Sequence, residues 1–304
     1  MKNTYRSLGL ALISIIFAIA ATVLRCIATF TDMDYSTGFY GGSALVKIAN
    51  VIIAAAVLIL LVSLFLKVEK GLTGKHLYGP MLYVPSAIMS VSLLLIALDI
   101  FSYLWIYTDG NIAAVLSADR SCIAALPTAL LAVCATAFFI VSCVTSKAKS
   151  SLRSYLGMAA ALFFGMYAAF LFFRLGGAIH QPQKIATEMA ALAMAVFLLE
   201  ETRISLGKER WNGYFTLGVI TASLSAYAAF PALAVFIFKS KMIAYSWAEL
   251  ILLLTMFVFA TCRIISATTS DANAEDTRAL VAEGTEDILA EDERQITDEK
   301  DSGN

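Results

Sequence analysis

Residues 81–107 read MLYVPSAIMSVSLLLIALDIFSYLWIY. At a rise of about 1.5 Å per residue, roughly 20 apolar residues cross the 30 Å hydrocarbon core of a bilayer, so this run is long enough to span one as a helix. Tyr103, Trp105 and Tyr107 close it, as aromatic side chains do at the headgroup level. Its one charge, Asp99, lies about 12 Å from Tyr107 by helical rise, too deep for so short a side chain to reach the interface. An ionisable group at that depth is costly and asks for a partner or a cavity, which makes Asp99 the first candidate site residue.

Similar runs recur at about 8–30, 44–66, 123–144, 158–175, 185–201, 214–238 and 247–265. Together they predict an all-α polytopic transmembrane bundle of about eight spans. The sixth is the weakest, because its purely apolar part stops at Leu199. Lys and Arg gather in alternate connections: Lys2 and Arg6; Lys67, Lys70 and Lys75; Lys147, Lys149 and Arg153; Arg203, Lys208 and Arg210. By the positive-inside rule this places the protein in the plasma membrane with both termini cytoplasmic. A competing reading takes Met1 to Arg6 as the basic start of a signal peptide, with Ala18-Ile19-Ala20 as its cleavage pattern. Against it, the apolar run continues through Val23 and Leu24, as a true span requires.

Composition agrees, at 60% hydrophobic and 15% charged residues, where a soluble domain has roughly 45–50% and about 25%. Mean hydropathy is +0.79. The net charge of −1 hides a split: residues 268–304 carry 12 acidic against 3 basic side chains, and residues 1–267 carry 11 against 19. No stretch outside the spans is long enough for a folded ATPase, kinase or nucleic-acid-binding domain of about 100–150 residues. The five cysteines are odd in number and form no CxxC pair, and His76 and His180 fall on opposite sides of the expected membrane. Neither a metal site nor any other cofactor is expected. Gly71-Leu72-Thr73-Gly74-Lys75-His76 lacks both the earlier glycine and the Ser/Thr of a P-loop, and no GxSxG, HExxH or GxGxxG occurs, so the expectation is not an enzyme.

The end of span four, Phe138 to Cys143, resembles the end of span eight, Phe257 to Cys262, at an offset of 119; spans two and six leave the membrane similarly at 133, and Arg25 aligns with Arg174 at 149. Offsets that fall in order suggest a 4+4 duplication with trimmed connections, the halves being parallel repeats. The expected units are residues 1–144, residues 145–267 and an acidic, disordered cytoplasmic tail at 268–304. Pro231, inside span seven, must leave the carbonyl of residue 227 without its helical donor.

Arg25, Asp99, Arg174 and Glu188 all lie towards the outer ends of their spans. One reading gathers them into a polar vestibule where guanidiniums grip a carboxylate or phosphate and the acids bind a cation or carry protons. On the other reading they are interhelical salt bridges, with Lys47, Arg174 and Glu249 reaching the headgroups and Arg263 anchoring span eight on the inner side. Two functions follow. The first is a small-solute permease or solute-binding bundle with its site in the outer half; the alternative is a non-transporting sensor or accessory subunit whose loops and tail contact a cytoplasmic protein. Beyond the lipid bilayer, the partners expected are thus a small polar or ionic solute, or a protein bound through the tail, and no nucleic acid.

Overall fold

Inside a bilayer every backbone N–H and C=O must find its partner within the chain, which leaves helix as the outcome for each of these runs. The computed structural model describes residues 2–65, 80–111, 120–144, 151–174, 180–206 and 211–266. The tail at 268–304, the loop bearing Lys67, Lys70 and Lys75, and Lys147, Lys149, Lys208 and Arg210 lie outside the described residues. The described chain forms α1 (Lys2–Thr31), a hairpin of β1 (Met33–Asp34) and β2 (Phe39–Tyr40), α2 (Ala44–Phe65), α3 (Pro80–Tyr107), α4 (Arg120–Val144), α5 (Ser151–Phe173), α6 (Pro182–Ser205) and α7 (Trp211–Lys239). An eighth helix, α8, covers Trp247–Ser266. All of these helices except α6 are long and apolar enough to cross a membrane. The protein is an all-α, multi-pass integral membrane protein.

Lys184, Glu188, Glu200, Glu201 and Arg203 keep α6 below that apolar threshold, yet its contacts run the length of α5. Lys184 Nζ donates to the Phe172 carbonyl at the end of α5 (3.0 Å), and Glu201 pairs with Arg153 near the start of α5 (3.0 Å). So α6 traverses the bundle antiparallel to α5. Helix ends meet accordingly: Phe30 touches Phe238, Tyr103 touches Phe170, and the Cys143 thiol points to the Tyr83 carbonyl. One face of the bundle therefore carries the β-hairpin, and the start of α1 and the end of α8 share the other, termini face.

Neighbouring helices follow the order α3, α4, α5, α6, α7, α1, α2, with α2 also touching α7. Helix α8 packs against four of these helices and keeps one exposed stripe, Trp247, Ile251, Val258 and Ile265. Its Phe259 meets Phe139 of α4 and Phe197 of α6, its Phe257 meets Phe230 of α7, and its Thr255 hydroxyl reaches Ser92 of α3. Close approach is bought by glycine at two places. A Cβ on Gly157 would strike the Thr202 hydroxyl, and one on Gly218 would strike Ile264. By contrast, Gly165, at the centre of the Ala161-Gly165-Ala169 stripe, has nothing near its Cβ position, so that stripe is not where α5 packs most tightly. Buried Ser and Thr hydroxyls fold back onto their own helices, as Thr22, Thr128, Thr136 and Thr202 do onto carbonyls four residues earlier.

Several helix starts lie ahead of the hydropathy reading, among them α1 at Lys2 rather than 8, α6 at Pro182 rather than 185 and α7 at Trp211 rather than 214. Helix α4 begins at Arg120 rather than 123, and α5 at Ser151 rather than 158. Arg153, expected in a connection, is thus helical and buried. A charge ends an apolar run but not a helix when an opposite charge waits beside it.

The candidate solute site and the charged clusters around it

Pro231 has no N–H, so the Tyr227 carbonyl one turn earlier is left without a donor in α7. Arg25 of α1 supplies it. Its Nη1 donates to Tyr227 O (3.0 Å), while Nη2 donates to Pro182 O and to Gln183 Oε1 (both 3.1 Å). The guanidinium also lies 4.4 Å from the Tyr227 ring centroid. Gln183 in turn donates from Nε2 to Ala228 O (3.0 Å). Arg25 is 1% exposed and has no carboxylate within ion-pair distance among the described residues. It therefore stands apart from Asp99, Arg174 and Glu188: the proline kink drew it towards α6 and α7, with carbonyl dipoles in place of a counter-charge.

On the termini face, Arg153 of α5 and Arg263 of α8 both donate to Glu201 Oε1 of α6 at 3.0 Å. The Tyr214 hydroxyl donates to Oε2 at 3.0 Å. All three charged side chains are 1% exposed. Arg263 is therefore no snorkelling anchor; beside this cluster, Arg203 and Glu200 form a partly exposed pair at 2.8 Å. Nothing in the spacing of residues 153, 201, 214 and 263 announces their meeting. It needs α5, α6, α7 and α8 to end at one level.

The hairpin-face end of α3, α5, α6 and α8 is different in kind. Asp99 of α3 pairs with Arg174, which follows α5, at 3.6 Å, with exposures of 26% and 12%. That separation is well beyond the 2.7–2.9 Å of a tight charge-assisted bond. Three rings surround the guanidinium: Tyr245 at 5.1 Å, Tyr103 at 5.5 Å and Phe170 at 5.7 Å. Such stacking satisfies the face of a guanidinium and leaves its in-plane N–H groups for other partners. Among the described residues, neither Arg174 nor Asp99 makes a side-chain hydrogen bond beyond their own pair, and Glu188 Oε1 is buried without a partner. The buried Tyr167 hydroxyl is likewise unpartnered there.

Glu249 departs from the expectation that it reaches the headgroups. It is fully buried at the start of α8, where Oε2 accepts the Tyr245 N–H (2.8 Å) and Oε1 the Thr187 hydroxyl (3.0 Å), while the Ser246 hydroxyl accepts the Glu249 N–H (3.2 Å). This is a variant of the Ser-x-x-Glu capping box, with the acid reaching one residue further back than usual, and Ser246-Trp247-Ala248-Glu249 could have been read as such. Lys184 is buried too, holding the Phe172 carbonyl, whereas Lys47 is exposed. Burial, with the charge of Glu249 next, pushes the Tyr245 phenol up to about 12. It stays neutral, donating to Gln181 Oε1 (3.0 Å) and offering Arg174 an uncharged ring. Glu188 also bears on that phenol, which ties it electrostatically to the Arg174 cluster.

Among the described residues, three of the four singled out from sequence thus share one end of the bundle with spare hydrogen-bonding capacity, and the fourth is buried and bonded to α6 and α7. No family model, curated protein or solved structure matches this chain.

Proposed function

We propose that this chain is a small-solute permease or solute-binding protein of the plasma membrane. In this reading both termini are cytoplasmic, the hairpin face is outside, the site lies between α3, α5, α6 and α8, and no reaction is catalysed. The observation that carries it is the Arg174 guanidinium, which among the described residues is caged by three rings and held only by a loose pair with Asp99. A guanidinium so placed offers a planar fork of donors that matches a carboxylate. A small organic acid would replace Asp99 at Arg174, and the released Asp99, with Glu188, would bind the accompanying proton or cation. Arg25, buried and bonded to three oxygens of α6 and α7, plays no part in the site.

The test is thermal unfolding of the purified protein against ions, amino acids, organic acids and nucleosides, with Arg174→Ala and Asp99→Asn alongside. A ligand at 100 times its Kd stabilises by about 2.7 kcal/mol, enough to detect. The expected result is stabilisation by an organic acid that Arg174→Ala abolishes. Absence of any hit, with a protein recovered through residues 268–304, would overturn this reading in favour of a sensor or accessory subunit.

A further inference from the structure

A second feature, separate from the solute site, runs along the seam of α1 and α7. A groove of about 800 Å³ extends there from Ile15 to Phe30 on α1 and from Val219 to Phe238 on α7, with α8 contributing at the termini-face end. Small residues, Ala18, Ala222 and Ala226, form part of its lining, and the edge-to-face rings of Phe30 and Phe238 stand at its hairpin-face end. Along α1 it is about 22 Å long by helical rise, past the midplane of a 30 Å core. The length and the apolar lining suit an extended hydrocarbon chain.

At the hairpin-face mouth, Lys239 follows Phe238 directly, and Lys241 lies 4.8 Å from the ring centroid of Tyr35, which packs in the same small cluster as Phe30. Both lysines are exposed, and neither is within ion-pair distance of a carboxylate among the described residues. Asp34, the neighbouring acid, is occupied by Ser36 and Thr37. We infer that this groove binds one acyl chain of an anionic phospholipid, its phosphate held between Lys239 and Lys241. The apolar lining supplies the affinity for a chain, and the two lysines supply the choice of headgroup.

Native mass spectrometry of the full chain in detergent, titrated with dioleoyl phosphatidylglycerol or dioleoyl phosphatidylcholine, tests it. One phosphatidylglycerol should bind about thirtyfold more tightly than phosphatidylcholine, the discrimination that two surface lysines confer. The Lys239→Gln, Lys241→Gln double variant should lose that preference and keep the chain. Ala226→Phe fills the groove and should bind neither lipid; Ser223→Leu serves if Ala226→Phe fails to fold. Inorganic phosphate should not compete. Equal binding of the two lipids by the unaltered protein, full binding by a groove-filled variant, or displacement by inorganic phosphate would each overturn the assignment. So would a dimer of this chain that Ala226→Phe dissolves.

Discussion

Arg25 and Arg174 hold matching places near the hairpin-face ends of α1 and α5. Arg25 is sealed, with three oxygen acceptors on its donors and a ring beside its face. Arg174 has three rings around it and one loose ion pair. The difference comes from what each neighbouring helix lacks. Pro231 leaves a carbonyl for Arg25 to fill, whereas Arg174 meets ring faces and a carboxylate at 3.6 Å. A charge locks a bundle when it is buried against short, specific partners and is available for binding when its pair is loose and partly exposed. The termini-face cluster belongs with Arg25 on the locked side of that division, since Arg153 and Arg263 both hold Glu201 at 3.0 Å and all three side chains are 1% exposed.

The largest effect should come from the most fully buried charges. Glu201→Ala leaves two guanidiniums facing each other out of water and should cost about 3–5 kcal/mol in denaturation of the detergent-solubilised protein. A loss below 1 kcal/mol would mean that water reaches this cluster. Next, Arg25→Met should cost about 1–3 kcal/mol, because the Tyr227 carbonyl loses its donor. In a Pro231→Ala background the restored helical N–H takes over that carbonyl, so the same substitution should cost less. Additive costs in that double-mutant cycle would refute the link between kink and arginine.

Arg174→Ala should cost under about 1 kcal/mol, since a 3.6 Å, partly exposed pair contributes little, while abolishing stabilisation by an organic acid. A stability loss matching that of Arg25→Met would place Arg174 among the locks and erase the contrast. The smallest effect concerns the hairpin. Hydrogen bonds from the Ser36 hydroxyl, the Ser36 N–H and Thr37 hold the Asp34 carboxyl below its usual range. A depressed value means that the carboxylate form supports the fold, so this support is present above the ordinary carboxylate range and fades as pH falls through the lowered value. Protection of the Ser36 amide, measured against its intrinsic exchange rate at each pH, should fall on acidification in the native protein, and Asp34→Asn should remove that pH dependence.

Most of the architecture was legible in the chain. The run at 81–107 is helical because a bilayer leaves no other way to satisfy its backbone, and the same reason carries to the other apolar runs. Pro231 announced the orphan carbonyl at residue 227, though not which side chain would fill it. The depth of Asp99 was legible from helical rise, but its partner was not: by sequence Arg174 sat where it would reach the headgroups, yet Arg174 and not Arg25 is the one it meets. Charged ends of spans misled in one consistent way. Arg153, Glu201, Glu249 and Arg263 each sit where a lone side chain would turn to the headgroups, yet all are buried.

By itself, then, the sequence determined that this is a multi-pass helical membrane protein, because hydropathy and run length are local properties that a bilayer converts directly into helices. Only the tertiary structure decided which charges are locked and which remain open. That depends on helix ends far apart in the chain meeting at one level, with or without a hydrogen-bond vacancy between them.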